Sequence, residues 1–91
     1  MTRLLEIVCT SLRDAVDAQY GGAGRIELCA RLSVGGLTPS IPLLLKVKAT
    51  IRIPVFVLIR PRGGDFCYSN AEFTRLLHQI ADAKAHGADG I

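Results

Sequence analysis

The chain has 91 residues, 49% of them hydrophobic, 21% charged and 5% aromatic, with a net charge of +3. That mixture is globular rather than disordered, and its length allows one small domain at most. No apolar run approaches the roughly 20 residues of a membrane span.

Leu4 to Cys9 is a short apolar run broken by Glu6 and predicts a buried strand. Glu6 also falls where the apolar core of a signal peptide would lie, which argues against secretion. Ser11 has the character of an N-cap, with Asp14 three residues on as a capping-box partner. Leu12, Ala15, Val16 and Tyr20 follow at helical spacing, and Gly21-Gly22 ends that helix. Arg25 to Ala30 predicts a second strand, again with a carboxylate inside it, at Glu27.

Gly35-Gly36 marks a loop. Thr38 then fits an N-cap and Pro39 the first helical position, so a second helix is expected to Ala49, with Pro42 positioned to delay its start. Pro54 opens Val55–Ile59, a run apolar on both faces that belongs in a parallel sheet covered by helices. Arg60 to Asp65 is a loop by its Pro and Gly content. Ser69 and Glu72 make a capping box, flanked by Tyr68 and Phe73 as a hydrophobic staple. Phe73, Leu76, Leu77 and Ile80 form one helical stripe, and His86-Gly87 ends it. His78 and His86 read as surface residues. Asp89-Gly90-Ile91 reads as the start of a further strand.

The order is β-α-β-α-β-α-(β). Ala18–Ile26 matches Ala83–Ile91 in four of nine places, each stretch joining a helix end to the next strand. Repeated βα units point to a parallel α/β fold, either a (βα)₈ barrel or a doubly wound sheet. Carboxylates in the middle of strands favour the barrel, whose interior holds polar groups near its mouth.

Beyond the cysteines, three features carry chemistry. Glu6 and Glu27 occupy like positions in successive strands and, if both point inward, place two carboxylates in one cavity. Both are acid–base candidates. Arg60, Arg62 and Asp65 sit on one loop with two glycines between them, and guanidinium forks match carboxylate or phosphate geometry. Gly35, Gly36 and Thr38 form a second loop able to offer backbone N–H groups to an anion. The bland alternatives are an interior ion-pair network, an internally paired loop, and plain turn and cap chemistry. A fourth feature is sulfur. Three cysteines at spacings of 20 and 38 suit reduced cytosolic thiols. Cys29 ends the second strand, where a thiolate with a neighbour such as Cys9 would bind Cu(I). Free cysteine otherwise acts as a small buried hydrophobe. From Arg31 to Gly64 there are six basic residues and no acid, yet no nucleic-acid-binding motif appears.

At Glu27-Leu28-Cys29, Gly35-Gly-Leu-Thr-Pro-Ser40 and Ile59-Arg-Pro-Arg-Gly-Gly-Asp-Phe66, the chain closely resembles the CutC family of copper homeostasis proteins. The resemblance runs over the whole chain. It implies a cytoplasmic (βα)₈ barrel of which residues 1–91 form the N-terminal three and a half βα units of a single incomplete domain. It also implies a role in copper handling through Cu(I) binding by cysteine. The sequence departs from the family pattern at Gly24, where Asp is usual, at Val34, where Glu is usual, and at Val8, where many members have the first cysteine. Here the thiol is one step later, at Cys9. Side chains alternate along a strand, so Cys9 is expected on the face opposite Val8. Two alternatives stand beside the copper reading. One is a barrel enzyme acting on a small anionic substrate. The other is a chain without its own activity that self-associates through unpaired edge strands.

Overall fold

The computed structural model describes residues 5–91, so the expected contribution of Leu4 to the first strand lies outside the described residues. Three parallel strands, β1 (Glu6–Cys9), β2 (Arg25–Leu28) and β3 (Val55–Val57), pair in chain order. They alternate with α1 (Leu12–Tyr20), α2 (Ile41–Thr50) and α3 (Asn70–Ala85). After α3, Gly90 bridges to Phe56 in parallel, with the Val57 amide donating to the Gly90 carbonyl at 3.0 Å. This is the expected start of a fourth strand. Consecutive parallel strands joined by helices are the repeating unit of a (βα)₈ barrel, and the chain forms an arc of one.

The register divides the sheet into two faces. Ile7 pairs with Ile26 and Ile26 with Val55, while Cys9 pairs with Leu28 and Leu28 with Val57. These side chains share one face, and Cys9, Ile26, Leu28, Val55 and Val57 pack there against Ala15, Leu44, Val47, Ile51 and Ala83 of the helical layer. The other face carries Glu6, Val8, Arg25, Glu27 and Phe56, set by the pairs Glu6–Arg25, Val8–Glu27 and Glu27–Phe56. It is the concave, inner side of the arc.

The weak internal repeat is one turn built twice. The Ala23 amide donates to the Ala18 carbonyl and the Ala88 amide to the Ala83 carbonyl, each at 3.0 Å. Gly22 and Gly87 stand between, both at positive φ. This is the six-to-one bond of a Schellman motif, which needs a left-handed residue just past the helix.

Helix starts are set by hydroxyls, with two departures from expectation. Ser11 accepts the Asp14 amide at 3.0 Å, but the Asp14 carboxylate turns to Thr10, taking its amide and hydroxyl at 3.1 Å each. In α2 the N-cap is Ser40 rather than Thr38, with Pro42 in the first turn, where its missing N–H costs no intrahelical bond. Thr38 is not free to cap: its hydroxyl donates to Gln79 Oε1 and accepts from the Arg60 amide, both at 2.8 Å. β3 stops at Val57 and not at the expected Ile59, although the Leu58 amide still donates to the Leu28 carbonyl at 3.0 Å.

The capping box of α3 is complete, with Ser69 Oγ taking the Glu72 amide and Glu72 Oε1 taking the Ser69 amide. Ser69→Ala is expected to lower stability by about 1 kcal/mol, read from the thermal midpoint. Tyr68 lies under the Arg62 guanidinium, 5.1 Å from its ring centre. Phe73 and Leu77 of the α3 stripe are exposed. Both histidines are exposed as expected. Among the described residues no helix is long and apolar enough to cross a membrane.

Candidate functional site

The inner face and the loops at the C-terminal ends of the strands hold most of the residues singled out from sequence. Glu6 and Glu27 both project from the inner face, but they do not meet as a pair. Glu6 is bound by Arg25, with Nε 2.6 Å from Oε2, and that guanidinium lies 4.4 Å over the Phe56 ring. Glu27 is half-buried and has no hydrogen-bonding or ionic partner among the described residues. A concave space of about 420 Å³ lies before them, lined by Glu6, Arg25, Glu27, Phe56, Leu58 and Ile91. Arg25 and Phe56 were not anticipated. The two-residue period of β2 was the available signal, because it puts Arg25 on the same face as Glu27.

The arginine loop is knitted to itself. Every N–H of Arg62 has a partner: Nε donates to Glu72, Nη1 to the carbonyls of Gly63 and Asp65, and Nη2 to the Asp65 carboxylate and the Cys67 carbonyl. A guanidinium carries five N–H donors, so this arrangement leaves none for a ligand. The Ser69 amide and then the Arg62 guanidinium hold the Glu72 carboxyl down to about 2. The Cys67 amide and then Arg62 likewise hold the Asp65 carboxyl below its ordinary value. Arg62 and Asp65 thus act in this structure as loop staples, the bland reading of that pair.

Arg60 takes a different set of partners. Nη1 donates to the carbonyls of Val34 at 2.9 Å and Gly36 at 3.2 Å, and Nη2 to that of Gly64 at 2.8 Å. Its guanidinium lies 5.1 Å over the Phe66 ring, and its buried Nε has no partner. Arg60 therefore binds the loop after β2 to the loop after β3. The expected anion cradle at Gly35, Gly36 and Thr38 is also spent internally. Their amides donate to the carbonyls of Leu32, Arg31 and Arg60. What the sequence suggested as N–H groups for an anion are here turn and bridge bonds.

The thiols separate by face. Cys9 is 0% exposed and belongs to the helix-facing core, where Sγ donates weakly to the Ile7 carbonyl at 3.6 Å. Burial, then the Asp14 charge, then Cys29, push its thiol up to about 11. Cys29 is 1% exposed and lies outside that core cluster. It follows Leu28 at the end of β2, two residues past Glu27, and so continues the inner face. Burial, then the Glu27 charge, raise its thiol as well. Cys67 is exposed on the arginine loop. Among the described residues no three His, Cys, Asp or Glu side chains cluster to hold a metal. Cys29 Sγ lies by Gly36 of the loop after β2, while Cys9 packs in the helix-facing core.

The CutC family model matches residues 3–91. Copper homeostasis protein cutC homologs of Mus musculus and Homo sapiens are each 53% identical over 88 residues, which cover 97% of this chain and 32% of theirs. A crystal structure of the CutC protein of Streptococcus agalactiae superposes with a TM-score of 0.90 at 33% identity, covering 98% of this chain and 44% of that one. The chain spans about a third of the length of the curated relatives it matches.

Proposed function

The chain belongs to the CutC family, and from that premise we propose that it serves copper homeostasis in the cytoplasm by binding Cu(I) through Cys29. Copper is cargo in this reading, not a resident cofactor. The supporting observation is the placement of Cys29 at the C-terminal end of an inner-face strand, beside Glu27 and beneath the loop after β2. Barrels of this kind build their sites at that end. Cu(I) is soft and selects thiolate over oxygen donors. A raised thiol must give up its proton when the metal binds, so loading releases a proton. Cys29 supplies one ligand, and the donor that delivers the ion completes the coordination. Cys9 faces the helices and takes no part. The alternative of an enzyme clamping a small anion between Arg60 and Arg62 draws less support, since eight hydrogen bonds from those two side chains already go to protein acceptors.

Competition for Cu(I) against a chromophoric chelator under reducing conditions tests this. Cys29→Ser is expected to weaken binding at least tenfold, about 1.4 kcal/mol, and Cys9→Ser to leave it unchanged. Equal affinity in Cys29→Ser and the parent chain would remove Cys29 as the ligand.

A further inference from the structure

We propose that Arg60 is a latch that holds residues 31–36 as a flap over Cys29, so that the thiol is reached only when the latch opens. The function of the flap rests on the copper reading above, but its mechanics do not.

The flap is a closed loop with tied ends. Ala30 and Leu37 exchange backbone hydrogen bonds of 2.8 and 2.7 Å. Between them the chain reverses through Arg31, at φ 47°, a short 3₁₀ turn at Leu32–Val34, and two glycines at φ 88° and 94°. Gly36 is buried and lies against the thiol. A Cβ there would stand 2.8 Å from Leu58 Cδ2 and 3.7 Å from Cys29 Sγ. The contact with Leu58 and the positive φ favour glycine there, and the backbone packs in ordinary contact with the thiol. Residues 31–35 are otherwise exposed and hold little apolar surface against the body of the protein.

What holds the flap down is a side chain from the loop after β3. Arg60 donates to Val34 and Gly36 on the flap and to Gly64 on its own loop. Charge-assisted bonds from a planar fork are strong and directional. Phe66, 74% exposed, covers the outer face of the guanidinium. No carboxylate pairs with Arg60 among the described residues, so its charge is answered by backbone carbonyls, two of them on the flap. Thr38 fixes the base of the latch, accepting the Arg60 amide while its own hydroxyl is held by Gln79 of α3. A hinge at Ala30–Leu37 with a single multidentate fastener is a two-position element.

The three cysteines make the test internally controlled. Iodoacetamide labelling of the native full chain, quantified by peptide mass spectrometry, reads all three at once. Cys67 is exposed and reports reagent activity. Cys9 is buried in the helix-facing core, on the other side of the sheet, and reports global unfolding. Cys29 reports the latch. In the parent chain Cys67 should label fast, and Cys9 and Cys29 slowly. Arg60→Gln should raise Cys29 labelling at least tenfold with Cys9 unchanged. Arg60→Lys should do nearly the same, because one ammonium cannot hold all three carbonyls. Should Arg60→Gln fail to fold, Phe66→Ala removes only the cover and should raise Cys29 labelling severalfold. The proposal is overturned if Cys29 labelling does not change, or if it rises only in step with Cys9. Faster labelling without any copper effect of Cys29→Ser would keep the latch and discard the copper reading.

Discussion

Ile26→Ala should lower the unfolding free energy by about 2–5 kcal/mol, while Val8→Ala should cost less than about 0.5 kcal/mol. Both are β-branched residues in neighbouring strands of one sheet, and a hydropathy profile does not tell them apart. They differ in face. Ile26 is fully buried between Ile7 and Val55 in register, under the helical layer. Truncating it leaves a cavity that helix and sheet cannot both close. Val8 is 48% exposed on the inner face, so its γ-carbons give up little burial. Urea denaturation with a constant m-value measures the difference from the midpoints. For a domain whose whole stability is of order 5–15 kcal/mol, Ile26→Ala should leave a visible unfolded fraction before denaturant is added. Equal costs at the two positions would mean that the inner face is covered in solution, as self-association through the concave side would do.

The element order was legible because the chain is punctuated. Ser11, Gly22, Ser69 and Gly87 each stand where a helix begins or ends, and each acts through its own hydroxyl or its own backbone angle. Local chemistry of that kind is written in local sequence. The weak repeat was legible for the same reason, since one Schellman turn has one residue pattern. Face assignment was legible too: the one-residue offset of Cys9 from Val8 is enough, by alternation, to send the thiol to the helices. The start of α2 was not legible. Thr38 and Ser40 are both good caps, and the choice is made by Gln79 and Arg60, remote in sequence. The backbone partners of Arg60 were not legible. An arginine beside glycines suggests an anion, but its partners are the carbonyls of Val34, Gly36 and Gly64, and a carbonyl leaves no mark in a sequence. Glu72 was read as a cap alone because its second partner, Arg62, lies outside the helix it caps.

Cys9→Ala should flatten the alkaline loss of stability, by about 2–3 kcal/mol near pH 11. In the unfolded chain this thiol ionises near its ordinary 9.0, whereas the folded protein holds the proton to about 11. Between those values the unfolded chain has released the proton and the folded one has kept it. The unfolded state then binds fewer protons, so stability falls as pH rises. Below about pH 9 both states are protonated and the site contributes no slope. The acid side has the opposite sign. Asp14, Glu72 and Asp89 are held below their ordinary values by hydrogen bonds to Thr10, to Ser69 and Arg62, and to Lys48. Their contribution is present above the ordinary carboxylate range and fades as pH falls through it. Stability should therefore peak between the two ranges, and only the alkaline limb should respond to Cys9. Unfolding free energies of the parent and Cys9→Ala chains at pH 8 and pH 10.5 measure the difference directly, since the two chains differ at that one residue. Parallel alkaline limbs would show that Cys9 ionises as freely in the fold as out of it. A flattened limb in the variant would show a thiol whose proton the core retains, as expected of a packing residue on the helix-facing side of the sheet.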